Sequence, residues 1–170
     1  MRATKFLFAC ALALLACAQA ATAQQVFSDD EVEYTLELPN ATWKSSSRAD
    51  GAHQHVDFIY GERTDGYLKI RREVVEQGRT TTDVLERDRD FKLRIITGYV
   101  GGKEERFAGR LDGVTFGYEY TSAGKQMAGR VYYLQADSRT VYTLHFTGQR
   151  EKLQRIRNQT DAIARSFRLK

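Results

Sequence analysis

VTFGYEYTSAGKQMAGRVYYLQADSRTVYTLHFT, residues 114–147, is the stretch whose reading decides the fold class. Three runs rich in aromatic and β-branched residues, Val114–Ser122, Gln126–Gln135 and Thr140–Thr147, are separated by the turn-forming pairs Ala123-Gly124 and Asp137-Ser138. Connections this short join antiparallel neighbours, because parallel strands need a long crossover. Phe116, Tyr118 and Tyr120 share one face of the first run. Tyr142, Leu144 and Phe146 share one face of the third. An antiparallel meander follows.

Working outward, a strand over Glu104–Leu111 is closed by Asp112-Gly113. Near the N-terminus Val32, Tyr34, Leu36 and Leu38 alternate with Glu33, Thr35 and Glu37, a strand with one wet face, and Pro39 ends it. Trp43 closes one end of the core. Val56–Tyr60 and Tyr67–Val75 are further strands, joined through a Gly61–Gly66 turn. Gln24–Asp30 reads as a mobile leader and Ser45–Ala52 as a polar loop.

Two helices complete the pattern. Thr80-Thr81-Thr82-Asp83 caps the first; Val84, Leu85, Phe91 and Ile95 form its apolar stripe, and Gly98 stops it. Asp88–Lys92 and Asp90–Arg94 are opposite charges four residues apart. The second helix runs from Gln149 to Phe167, with Leu153, Ile156, Thr160, Ile163, Ala164 and Phe167 on one side. The expected fold is α+β: an αβα sandwich around a mostly antiparallel sheet of about six or seven strands, with a mid-chain and a C-terminal helix.

Residues 1–23 read as a signal peptide. Arg2 and Lys5 precede the apolar run Phe6–Ala18, and Ala21-Thr22-Ala23 matches the small-x-small pattern of a cleavage site. Leu14-Leu15-Ala16-Cys17 offers a second route, lipidation at Cys17, which would anchor the product to a membrane. Soluble release into the periplasm or medium is preferred, because a good cleavage site follows. Residues 24–170 then form one domain. Both cysteines, Cys10 and Cys17, fall in the removed segment, so thiol nucleophiles and Cys-ligated zinc drop out. Loss of Arg2 and Lys5 lowers the formal charge from +4 to +2, far from the basic signature of a nucleic-acid binder. The charge that remains is uneven, with seven cations against two carboxylates over residues 149–170.

The residues also suggest a family. Val32–Pro39 with Trp43, the mid-chain helix, Gly117-Tyr118-Glu119-Tyr120, Arg130-Val131-Tyr132-Tyr133, Tyr142-Thr143-Leu144 and the closing Ser166-Phe167 come in an order that resembles the PsbP-like superfamily. That superfamily includes lumenal photosystem extrinsic proteins, Ran-binding relatives and small exported bacterial proteins. The resemblance implies an αβα sandwich, and protein binding or assembly rather than catalysis. It brings no catalytic motif to carry over.

His53-Gln54-His55 is the sharpest chemical feature. In an extended chain both imidazoles and Asp57 point to one side and could ligate zinc or copper. The simpler reading is a polar loop leading into a strand, with the histidines exposed, and no tight metal site or cofactor is expected. Gly101-Gly102-Lys103 lacks the earlier glycine and the Ser/Thr of a phosphate loop and reads as a turn. No nucleophile elbow or His-Glu-x-x-His helix occurs. Ser45, Ser46, Ser47, Glu104 and Glu105 have no partner set by spacing. On the last helix Arg150, Arg157 and Arg165 are the candidate partner contacts, and this basic helix is also the one surface expected to meet a membrane in an unlipidated product. The expectation is a non-enzymatic, exported interaction module that binds an envelope protein. The alternatives are a small-ligand or metal carrier and, further off, a hydrolase. A deep pocket with convergent polar groups would favour these alternatives; a shallow apolar patch with Arg would favour a protein partner.

Overall fold

The computed structural model describes the backbone of residues 24–50 and 53–170, and side chains outside 48–55. The proposed signal peptide and Cys17 lie outside the described residues. The strands are β1 (Gln25–Ser28), β2 (Tyr34–Leu38), β3 (Trp43–Asp50), β4 (His53–Tyr60), β5 (Gly66–Val74), β6 (Val100–Phe107), β7 (Gly113–Ser122), β8 (Lys125–Asp137), β9 (Thr140–Gln149) and β10 (Arg168–Leu169). The helices are α1 (Thr81–Asp88), continued by a π turn over Arg89–Leu93, then α2 (Arg150–Arg155) and α3 (Arg157–Ser166).

Seven strands form one antiparallel sheet in the order β3-β4-β5-β9-β8-β7-β6. Its heart is the expected meander. Ser122 pairs with Lys125 across a two-residue turn in which Ala123 and Gly124 both have positive φ, the conformation that suits the twist of a tight hairpin. On one sheet face lie α2, α3 and a small sheet in the order β1-β2-β10; α1 covers part of the other. The sandwich expected from the sequence is therefore present.

Because both faces are covered, alternation along the central strands selects a core rather than core against water. Tyr132, Leu134, Leu144 and Phe146 pack with Ile163 and Phe167, while Val131, Tyr133 and Val141 pack with Val84, Leu85 and Leu93. Tyr132 and Tyr133 are thus both buried, one in each core. The Tyr132 hydroxyl is satisfied by Asp161 and Thr160 of α3, with Arg130 donating to it at 2.6 Å. The Trp43 indole N–H donates to Gln159 of α3 at 2.9 Å, so Trp43 does close one end of the core.

Six local features differ from expectation. Gln25–Ser28 of the supposed leader is β1: Phe27 packs edge-on against Phe58, with ring centres 4.8 Å apart, which ties the segment down. The Ser45–Ala52 loop is largely β3, an edge strand whose pairing with β4 uses backbone groups and needs no apolar side chains. Gly101-Gly102-Lys103 lies inside β6 rather than in a turn. A Cβ on Gly102 would come within 2.7 Å of the Gly117 carbonyl oxygen, so this glycine permits close strand approach, and a register shift follows before Glu104. Strand β6 accordingly starts and ends four residues earlier than expected.

The last helix breaks at Ile156 (φ −99°, ψ 14°) into α2 and α3. All six of its stripe residues are nevertheless buried. The stripe of the first helix fails at its end. Thr80 and Asp83 form the expected capping box, and Val84 and Leu85 are buried. However, Phe91 is 74 % and Ile95 79 % exposed. The cause is the π turn, closed by Arg94 N–H to the Arg89 carbonyl at 3.0 Å. Its extra residue rotates the following side chains, so the inward line runs from Asp88 to Leu93 and Ile96, and Phe91 and Ile95 turn outward.

Candidate functional site

The end of α1 is held by one buried carboxylate. Asp88 accepts from Lys92 at 2.6 Å, Arg87 at 2.8 Å and Arg71 at 3.1 Å. Burial pushes its pKa up, but hydrogen bonds from Lys92 and Arg87 and the nearby cationic charge outweigh this and hold the carboxyl below its usual range. Arg87 also forks onto Glu73, which lowers that carboxyl as well. This clamp joins the helix end to β5 and fixes where Phe91 and Ile95 project. Arg89 and Arg94 pair with the intervening Asp90 at 3.6 and 3.1 Å. The outcome is an exposed aromatic–aliphatic pair beside paired charges, Arg89 and Arg94 on Asp90 and Lys92 on Asp88.

Beneath this helix end is a cleft of about 320 Å³ between α1, the π turn and the sheet. Its floor carries Thr143 and His145 of β9. Their cross-strand partners in β5 are Arg71 and Lys69. The Tyr118 hydroxyl lies 2.8 Å from His145 Nε2. Burial, reinforced by Arg71 and the two lysines Lys69 and Lys92 and opposed by Asp88, holds the imidazole down to about 4, so it is neutral at pH 7. Thr143 is only 4 % exposed and its Oγ1 has no hydrogen-bond partner among the described residues.

On the opposite face a groove of about 330 Å³ runs between β6, β7 and β8, the second half of α2 and the start of α3. Gly102 and Gly117 give it a low floor. The sequence-derived arginines frame or neighbour it, and each is engaged within the chain. Arg150 pairs with Glu119 at 3.3 Å and Arg157 with Glu105 at 3.7 Å, while Arg165 donates to the Ala108 carbonyl and lies over the Phe107 ring. They sit at the solvent margin as expected; Glu119 and Glu105 pair with Arg150 and Arg157, while Arg165 meets neutral groups.

Asp57 accepts from the Tyr67 hydroxyl at 2.7 Å and from Arg63 at 3.4 Å, which commits its carboxylate. The side chains of His53 and His55 lie outside the described residues. Among the described residues no three His, Cys, Asp or Glu side chains come together as a metal site, and no helix is long and apolar enough to cross a membrane. Glu104 accepts from Thr82. The sequence reading missed the Asp88 clamp and the cleft. The i,i+4 pair Asp88–Lys92 was a partial signal, whereas Arg71 and His145 come from strands far along the chain.

No family model and no curated protein matches this sequence. Solved structures do. Cyanobacterial PsbP (CyanoP) from Synechocystis superposes with a TM-score of 0.57 at 16% identity, covering 91% of this chain and 96% of that one. LpqN, involved in cell envelope biogenesis of Mycobacterium tuberculosis, gives 0.54 at 14% identity over 85% and 89% of the two chains. PA94 of Pseudomonas aeruginosa, a protein of unknown function, gives 0.51 at 14% identity over 84% and 94%. The fold is PsbP-like, and at this identity the likeness extends to the fold alone.

Proposed function

We propose that the chain is an exported protein-interaction module of the bacterial cell envelope, acting without catalysis, that docks a protein partner through Phe91 and Ile95. The exposure of this pair carries the reading. Two large apolar side chains are presented to water by a π turn, a device often found at functional sites, and are held there by the Asp88 clamp. Arg89, Lys92 and Arg94 neighbour them in sequence and stay partly exposed while paired with Asp90 and Asp88. The fitting partner is a protein surface with an apolar socket rimmed by carboxylates. The apolar leader Phe6–Ala18 supports export, and LpqN, of the same fold, is an envelope biogenesis protein.

The test places a photoreactive phenylalanine at position 91 and irradiates the protein in its native envelope. The expected product is one protein adduct, identified by mass spectrometry, with an acidic contact surface. Excess unmodified protein should compete it away, whereas the F91S/I95S double variant should not. Salt should weaken it. A lipid adduct, an adduct to a second copy of this chain, or full competition by the double variant would overturn the reading. Loss of the adduct on Arg157→Ala would move the interface to the basic face of α2 and α3.

A further inference from the structure

We propose that the cleft beneath α1 binds a small organic anion, a monocarboxylate with a short apolar body. The inference does not depend on the docking role of Phe91 and Ile95. Register sets four polar side chains as a square on one sheet face: Arg71 opposite Thr143, and Lys69 opposite His145. These neighbours come from adjacent strands, so their positions are fixed by the ladder rather than by flexible loops.

Charge around the square is unbalanced. Arg71, Arg87 and Lys92 converge on Asp88, and Glu73 pairs with Arg87 and attracts Arg71 more weakly. Lys69 has no ion pair among the described residues. Asp57, the cross-strand partner of Lys69 in β4, accepts instead from Tyr67 and Arg63, so the cleft holds a surplus of positive charge beside a neutral imidazole. Thr143 supplies an independent sign of a ligand. Its side chain is buried and lines the cleft, and its hydroxyl, shut off from solvent, has no partner among the described residues. Native interiors rarely leave such a group unpaired. A carboxylate placed over the square would meet Lys69 and Arg71, and a χ1 turn that brings Thr143 Oγ1 to the cleft surface would let it donate to the same group.

The walls fix the other half of the molecule. Leu93, Ile96 and Val131 line the cleft beside this polar floor. An inorganic anion would leave those surfaces facing water, and a neutral hydrocarbon would leave the cations and Thr143 unanswered. At about 320 Å³ the space lies at the small end of ligand pockets. It suits a short aliphatic or aromatic acid rather than a long lipid chain.

Octanoate is the probe, with 1-octanol as its uncharged counterpart and inorganic phosphate as the anion without an apolar body. Each is titrated calorimetrically into the purified protein at neutral pH and low salt. Octanoate should bind at one site, at least roughly tenfold tighter than either control. Lys69→Gln, at an exposed position, and Thr143→Val, which keeps the side-chain shape, should each weaken octanoate roughly tenfold while leaving the urea midpoint nearly unchanged. The second readout is the His145 ring by NMR. A bound carboxylate favours imidazolium, so saturation should raise the His145 pKa from about 4. Octanol binding as tightly as octanoate would overturn the proposal. So would phosphate binding as tightly, indifference to Lys69→Gln, or an unmoved His145 titration at saturating octanoate.

Discussion

Phe167→Ala tests the placement of α3 most directly. Phe167 is fully buried where α3 hands over to β10, with its ring 5.2 Å from Tyr34 and 5.1 Å from Tyr142. A buried phenylalanine hides at least roughly 150 Å², which at about 25 cal/mol per Å² corresponds to about 4 kcal/mol. The two aromatic contacts add about 0.5–1.5 kcal/mol each, and the methyl that remains and partial collapse of the site return some of it. The expected loss is about 3–5 kcal/mol. In a urea titration this appears as a midpoint lowered by roughly 1.5–2.5 M at unchanged slope. Phe91→Ala is the matched control. The same side chain is removed from a site that is 74 % exposed, so stability should change by no more than about 0.5 kcal/mol. A Phe167→Ala loss below about 1.5 kcal/mol, or a Phe91→Ala loss of similar size to it, would refute the assignment of one ring to the core and the other to solvent.

Three further outcomes follow from the two cores. Asp88→Asn should cost about 3 kcal/mol at neutral pH, the low end for breaking a buried ion pair because its cations keep access to water. Since the folded pKa of Asp88 is depressed, its contribution is present above the unfolded value and lost as pH falls through the folded one; the variant should therefore unfold with a flatter acid limb when midpoints are compared below about pH 4. His145 acts in a different window. The unfolded chain takes up its proton near 6.5 and the folded chain only near 4, so stability should fall as pH drops between these values, and His145→Gln should flatten that part of a urea-midpoint profile. Gly129→Ala would put a methyl 2.2 Å from the Tyr118 ring, displacing it and its contact with His145, and should lower stability by about 1–3 kcal/mol in thermal or urea unfolding. Gly117→Ala, whose nearest neighbour is 4.0 Å away, should be tolerated in the same assay.

The sequence alone determined the parts of this protein that are local. Residues 114–147 carry strand-length aromatic runs and turn pairs whose spacing admits only antiparallel neighbours, and they form the centre of the sheet as expected. Thr80 and Asp83 mark a helix start because a cap is read within one turn, and the buried stripe from Leu153 to Phe167 survives even a break at Ile156. The order of these elements also sufficed to point to a PsbP-like fold. Tertiary structure decided the rest. β3 is a strand because β4 offers it a ladder, although after Trp43 its sequence has no large apolar residue. Gly101-Gly102 lies in a strand because the neighbouring Gly117 backbone comes close. One added residue in the π turn rotates Phe91 and Ile95 from the core into water, a phase change that apolar spacing does not encode. The cleft is the clearest case. Lys69, Arg71, Asp88, Thr143 and His145 lie up to 76 residues apart in sequence, and only the pairing of β5 with β9 under the helix end gathers their charges and hydroxyl into one place.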